Sequence, residues 1–355
     1  MRIALVTRRF PPQIGGVEKV CFALATGLAD CGDEVVVYTH NPIGATVTDP
    51  SSRFEVRRLR STGSDFDVAP RLVRELRKGR FDVWHAHNMH SYAPLAVWLS
   101  GRRPFVVTTH CSGDAHQHLI GRTPFTTRTH ALYRPFARRA LRAAASVTSV
   151  SRFEAEIVRR DYGVDPVVIP NGVHLEQFRN LKRKQSDGRQ VAIVSRLHPY
   201  KRVDLAIRAM TQLPAEYRLS VIGDGPQRRE LETLISELRL GHRVSIVTGL
   251  CGEGLRQSLR DADVTLTLSR QESFSLSVLE SLAAGTPVIV AAGQGALVEW
   301  AERFPEVVTA VLPTPTALAE AVAADHKRVD NLDLAGYDWP DVIAQMRAIY
   351  ERAAA

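Results

Sequence analysis

Short apolar, β-branched runs recur along this chain with room for one amphipathic helix between each pair, and that repetition constrains the fold more than any other feature. In the first half the runs lie at 3–7, 35–39, 83–86, 105–109, 147–150 and 167–169, with helical periods near 17–31, 67–79, 90–100, 125–142 and 151–161. Strands that alternate with helices form a parallel sheet covered on both faces, so the runs are apolar throughout rather than at every second residue. The stretch from Arg179 to Gly188 is polar, aperiodic and ends in a turn-forming glycine. The alternation then restarts, with strands near 191–195, 219–222, 244–247, 264–268 and 288–291 and helices near 201–212, 225–239, 253–260, 275–284 and 315–325. The spacing predicts two Rossmann-like, doubly wound α/β domains, 1–175 and 190–337, joined by a linker at 176–189. Ligands of such sheets bind outside the C-terminal ends of the strands, here in a deep cleft between two facing domains.

Composition narrows the class. At 355 residues and 45% hydrophobic the chain can bury two cores. Its four cysteines, Cys21, Cys31, Cys111 and Cys251, show neither C-x-x-C pairing nor metal-ligand spacing, which fits a reducing, cytoplasmic setting. Two arginines break the N-terminal apolar run before it could serve as a signal sequence, and no run approaches the roughly 18 apolar residues of a membrane span. Residues 1–175 hold 24 Lys and Arg against 15 Asp and Glu, while the remainder holds 22 against 23, so the whole excess of +8 sits in the first half.

Several turns at the strand ends carry chemistry. Glu272 and Glu280 stand seven residues apart across a strand-to-helix turn, Glu-Ser-Phe-Ser-Leu-Ser-Val-Leu-Glu, whose helix is closed by Gly285. The backbone N–H groups of Phe274 and Ser275 read as helix starts, an anion site when taken with the helix dipole. Val191 to Lys201 is a strand opening into a loop with two cations, Arg196 and Lys201. Fixed cations favour a leaving group that gains negative charge, though the same pair also suits a solvated surface. Gly15-Gly16 after the first strand and Gly223-Asp-Gly225-Pro226 after the 219–222 strand are turns where paired glycines let a backbone approach phosphate. His110 ends the 105–109 strand among other histidines (His85, His87, His90, His116, His118 and His130) whose spacing gives no convincing metal set. Asp261-Ala-Asp263 has the form of a metal-binding acidic pair but precedes a buried strand, and is read as chance.

In this order, these motifs resemble the retaining group 1 glycosyltransferases with the GT-B fold, relatives of glycogen synthase and phosphatidylinositol mannosyltransferase. The resemblance runs from the G-G loop to the Pro287-Val-Ile segment. It implies that Glu272 meets the hydroxyls of a donor sugar and that Glu280 holds the nucleotide ribose. It further implies that Arg196 and Lys201 clamp the diphosphate, that Gly16 touches donor or acceptor, and that His110 lies beside the transferred sugar. The chain departs from the family by carrying Ser273 and Ser275 where glycines are usual. It also implies that the terminal segment, 338–355, which has Trp339, Val342, Ile343, Met346, Ile349 and Tyr350 at helical spacing, crosses back onto the first domain.

The expectation is therefore an enzyme that moves a hexose-type sugar from a UDP- or GDP-linked donor to an acceptor with retention and with no metal or other cofactor. Arginines cluster in the first half, and the 125–142 stretch segregates Phe125, Leu132, Tyr133, Phe136 and Ala140 from Arg128, Arg134, Arg138, Arg139 and Arg142. That pattern suits a glycan, glycolipid or small-molecule acceptor and a peripheral contact with the inner face of an anionic membrane, and equally a sheet-covering helix. No recognition motif for nucleic acid accompanies the charge. Two rivals share the architecture. An NAD(P)-dependent oxidoreductase needs a complete glycine fingerprint and a ribose-binding acid that the chain lacks, and a catalytically idle GT-B scaffold has no need of Glu272, Glu280, Arg196 and Lys201.

Overall fold

The computed structural model describes residues 1–13, 15–41, 53–60, 65–89, 91–110, 124–184 and 187–355. The chain forms two compact units, Met1–Gly172 with Ala335–Ala355, and Val173–Leu334.

The first unit is built on β1 (Arg2–Val6), β2 (Glu34–Asn41), β3 (Glu55–Arg60), β4 (Val83–His87), β5 (Phe105–Thr109), β6 (Ser146–Ser149) and β7 (Val167–Val168). All pair in parallel in the order β3-β2-β1-β4-β5-β6-β7. The central strands β4 and β5 are buried at every residue, as a sheet covered on both faces requires. The crossovers are α1 (Gly16–Asp30), α2 (Asp65–Leu76), α3 (Tyr92–Ser100), α4 (Pro124–Ala143) and α5 (Arg152–Tyr162). One face of the sheet packs Val6, Tyr38, Trp84, Phe105 and Val107 into a continuous core.

Strand β3 is absent from the sequence reading because four of its six residues are charged, which masks the alternation. At an edge those charges are an asset, since they discourage pairing with another chain. Arg57 of β3 donates to the Tyr38 hydroxyl (2.9 Å), which fixes the edge to its neighbour.

The terminal helix α13 (Trp339–Ala354) starts at Asp338, whose carboxylate accepts from the Trp339 N–H. It belongs to the first unit and buries the six apolar residues that the period singled out. It lies so close to α1 that a Cβ on Gly27 would come 2.7 Å from the Ile343 side chain.

The second unit has a six-stranded parallel sheet, built from β8 (Arg189–Val194), β9 (Tyr217–Ile222), β10 (Val244–Val247), β11 (Val264–Thr267), β12 (Val288–Ala291) and β13 (Val308–Val311), in the order β10-β9-β8-β11-β12-β13. Its helices are α6 (Glu176–Arg179), α7 (Val203–Ala209), α8 (Arg228–Glu237), α9 (Gly252–Asp261), α10 (Leu276–Ala283), α11 (Gly295–Arg303) and α12 (Pro315–Ala323). Helix α11 and strand β13 go unpredicted from the sequence.

The linker differs from expectation. Residues 176–189 belong to the second unit, and the division falls after Gly172. Helix α6 buries Phe178, and Asp261 and Asp263 tie the polar stretch down: Asp261 accepts from the Lys184 N–H (2.7 Å), and Asp263 accepts from the Gln190 N–H (2.6 Å) and Arg183. The acidic pair is thus spent on backbone and an ion pair.

Candidate active site

In the second unit, three loops at the C-terminal ends of adjacent strands are stitched into one surface. The Leu197 N–H donates to the Asp224 carbonyl (2.9 Å), and the Gln227 N–H donates to Leu197 (3.0 Å). Gly223 and Gly225 make that approach possible. Gly223 has φ 149°, and a Cβ there would lie 1.9 Å from the Ser195 carbonyl oxygen. A side chain at 223 therefore separates the β8 and β9 loops.

The loop after β11 is pinned from three sides. The Arg270 N–H donates to the Tyr200 carbonyl (2.8 Å), Gln294 Nε2 donates to the Glu272 carbonyl (2.8 Å), and the Trp300 indole donates to the Phe274 carbonyl. Glu272 is thereby held beside the short 3-10 turn Pro199–Lys201. Its carboxylate accepts from Ser269 Oγ (2.8 Å) and pairs with the Lys201 ammonium. Both side chains are about seven-eighths buried, 14% exposed for Glu272 and 15% for Lys201, so the pair is partly withdrawn from water. Arg196 is exposed and donates to the Tyr200 hydroxyl (2.8 Å). Glu280 is half-buried on α10.

Helix α10 starts one residue later than the sequence suggests. Ser275 is its N-cap and adopts φ 76°, a left-handed conformation that glycine takes without strain. Its hydroxyl lies 3.1 Å from that of Ser277. At the other end Gly285, at φ 68°, closes the helix as its position predicts.

In the first unit a polar seam runs through the sheet. His85 and His87 lie on the same face of β4, two residues apart, with ring centroids 4.0 Å from each other. His87 Nδ1 is 3.0 Å from His110 Nε2, and the two rings stack. His85 bonds the Tyr350 hydroxyl on α13 (2.6 Å) and Thr108 Oγ1 (2.6 Å), which in turn bonds Thr148. Burial pushes His110 down to about 4 and His85 to about 3, and burial followed by repulsion from its two neighbours holds His87 well below the usual range. All three imidazoles are neutral at neutral pH. Among the described residues no group of three His, Cys, Asp or Glu is arranged to hold a metal ion. His90, His116 and His118 lie outside the described residues, as does the side chain of His130.

Residues 14–177 match Glycosyltransferase Family 4, and residues 176–325 match Glycosyl transferases group 1. A 2-deoxystreptamine glucosyltransferase of Streptomyces kanamyceticus is 30% identical over 72% of this chain and 67% of its own length. The chain belongs to the group 1 glycosyltransferases. The MMP alpha-(1->4)-mannosyltransferase of Mycolicibacterium hassiacum is 27% identical over 100% of this glycosyltransferase and 99% of its own chain. Sucrose-phosphate synthase from Thermosynechococcus elongatus, 23% identical, superposes with a TM-score of 0.81 over 99% of this chain and 98% of that one. The fold is that of the GT-B enzymes, with two Rossmann-like units.

The predicted residues of this glycosyltransferase fall into two groups. Arg196, Lys201, Phe274, Ser275, Glu272 and Glu280 all lie on β8, β11 and α10 or the loops that follow the strands, whereas Gly16 and His110 lie in the first unit. Two assignments need correction. The backbone N–H of Phe274 lies one residue ahead of the Ser275 N-cap rather than among the helix starts, and its ring packs edge-on to Trp300 at 5.1 Å. Gly15 is extended and Gly16 is the first residue of α1, so neither uses positive φ. What Gly15 provides is space, since a Cβ there would lie 2.1 Å from the Glu18 carboxylate. Ser269, Gln294 and Trp300, which hold Glu272 and its loop, carry no sequence motif. His87 stood among the histidines near His110, but nothing in the spacing marked it as the partner.

Proposed function

We propose that this glycosyltransferase transfers a hexose from a UDP- or GDP-linked donor with retention of anomeric configuration and without a metal ion. The observation that carries the reading is the Lys201–Glu272 pair, fixed by interlocked loops at the C-terminal edge of the second sheet. In this proposal the Glu272 carboxylate accepts from the hydroxyls of the donor sugar, and Glu280 binds the ribose. Arg196 and Lys201 face the diphosphate and stabilise the charge that develops on it as the glycosidic bond breaks, a contribution of roughly 3 kcal/mol per well-placed donor. Ser275 and the N–H groups at the start of α10 add a partial positive charge. Before donor binds, Lys201 and Glu272 neutralise each other, so neither partly buried charge is left without a partner.

His110 is assigned to the transferred sugar, where its neutral imidazole acts as a hydrogen-bonding group, and Gly16 to the close approach of donor or acceptor. A hexose donor agrees with the glucosyl and mannosyl transfers named for the two relatives.

For the acceptor we propose an anionic or lipid-linked molecule. On α4, Arg134, Arg138, Arg139 and Arg142 are exposed together with Phe136, which is 49% exposed. An apolar ring flanked by cations suits the headgroup region of an anionic membrane. No helix among the described residues is long and apolar enough to cross a membrane.

The test is a thermal-shift panel of UDP, GDP and NAD, followed by NMR of the anomeric proton in the product formed from the stabilising nucleotide's sugars. Stabilisation by UDP or GDP and an α-linked product from an α-linked donor are expected. A shift with NAD alone, or a product of inverted configuration, rejects the reading.

A further inference from the structure

A cavity of about 130 Å³ opens in the second unit at the N-terminal end of its sheet. Its lining includes the first residues of three strands, Arg189 of β8, Tyr217 of β9 and Val264 of β11. Strand β8 spans six residues, roughly 20 Å, and the loop carrying Arg196 follows its far end. The cavity is therefore remote from the candidate donor loops of the same sheet.

Arg183, Arg328, His326 and Asp263 also line it, so three guanidiniums face one carboxylate. That carboxylate is already spent. Its Oδ1 pairs with Arg183 (2.5 Å) and its Oδ2 accepts from the Gln190 N–H (2.6 Å). Arg189 and Arg328 have no carboxylate within ion-pair distance among the described residues.

Arg328 is the more telling of the two. It is half-buried, and its guanidinium donates to the carbonyls of Ala262, Arg260 and Ala284, which fix its position without neutralising it. Burial first, then repulsion from Arg183 and Arg260, pushes it down to about 10. A withdrawn cation with no carboxylate in direct contact, only partly offset by Asp330 and Asp263, is costly, and an entering anion removes that cost.

We propose that this cavity is a second anion site that binds a phosphate-type dianion through Arg189 and Arg328, with Arg183 at its edge. Two guanidiniums without an ion-pair partner among the described residues match a double negative charge, and their planar forks suit tetrahedral oxyanions. The volume holds several waters at roughly 30 Å³ each, and so accommodates one phosphoryl group.

The probe is inorganic phosphate, compared with sodium chloride at equal ionic strength, on the full chain and on three variants. At 10 mM phosphate the parent and Arg196→Ala are expected to gain about 3 °C in melting temperature, while Arg189→Gln and Arg328→Gln lose most of that gain. Arg328→Gln also removes three carbonyl contacts and lowers the melting temperature by itself, so the exposed Arg189 supplies the decisive variant. The proposal is overturned by no gain over chloride, by a gain that survives Arg189→Gln, or by one that Arg196→Ala abolishes, which would place the ion in the donor loops. Glycerol 3-phosphate separates two sources of the same chemistry. An equal gain supports a phosphoryl end group, and a gain from inorganic phosphate alone supports the free ion.

Discussion

The Nδ1 of His87 lies 3.0 Å from the Nε2 of His110, and both rings are buried within the first unit. Both are neutral at neutral pH, so one nitrogen carries the shared proton and the other accepts it, which couples the tautomers of the two rings. Among the described residues the second nitrogen of His87 has no hydrogen-bond partner. Among the described residues the ring's one polar contact is therefore with His110, and in the role proposed for His110 beside the sugar its effect is to orient that ring. In His87→Phe the ring volume stays and the hydrogen bond goes. Turnover is expected to fall about tenfold with KM changed less than twofold, the split that marks lost orientation rather than lost binding. Steady-state kinetics with saturating donor measure it, and an unchanged kcat would remove His110 from the chemistry.

The same histidines make stability depend on pH. Their folded pKa values lie below the ordinary 6.5, at about 3 for His85, about 4 for His110 and lower than usual for His87. Below pH 6.5 the unfolded chain therefore binds protons that the folded chain refuses. Their contribution to stability is present above pH 6.5 and is lost as pH falls toward 4. Up to three protons are taken up on unfolding in that window, each worth about 1.4 kcal/mol per pH unit. Urea midpoints measured from pH 7 to 4.5 are expected to fall steeply, and His85→Phe is expected to flatten the slope by about one proton's share.

How much of this was legible beforehand follows from what each feature depends on. The two sheets could be read because buried parallel strands are apolar at every position, and α13 because six apolar residues keep the helical period. Strand β3 could not, since its edge position is a tertiary fact and its charges imitate a basic loop. Lys201 and Glu272 were each picked out, but their pairing across 71 residues depends on the Arg270–Tyr200 backbone bond that joins two loops. The polar 176–189 stretch reads as a linker because the side chains that hold it to the second unit, Asp261 and Asp263, lie 77 and 73 residues from their partners.

Lys201 and Glu272 should behave as a coupled unit. Lys201→Met leaves the Glu272 carboxylate largely buried with Ser269 Oγ as its remaining side-chain donor among the described residues, at a cost of about 2 kcal/mol, less than for a fully buried pair because some solvent reaches it. Adding Glu272→Gln removes the orphaned charge, so the double variant recovers part of the loss. A coupling of about 1–2 kcal/mol is expected from urea denaturation of the four proteins. Glu272→Gln alone is expected to lower kcat about a hundredfold, and Glu280→Gln to raise the donor KM about tenfold. Additive stabilities would mean that the ion pair contributes nothing.

Ser275 poses a question that two substitutions answer together. At φ 76° a Cβ costs about 1–2 kcal/mol relative to glycine. The Ser275 hydroxyl recovers part of this, about 1 kcal/mol, by bonding Ser277. Ser275→Ala keeps the strain and loses the bond, so it should be about 1 kcal/mol less stable than the parent. Ser275→Gly loses the same bond and loosens the unfolded chain, but sheds the strain, and should fall within about 0.5 kcal/mol of the parent. Glycine is preferred to alanine at ordinary N-caps as well, so the signature of left-handed strain is a glycine variant at least as stable as the parent serine, which an unstrained cap does not give. If Ser275→Gly also keeps full transfer activity, the hydroxyl is dispensable for the donor, and the serine is a tolerated replacement for the glycine usual in the family. A large rise in donor KM would instead assign the hydroxyl to the phosphate.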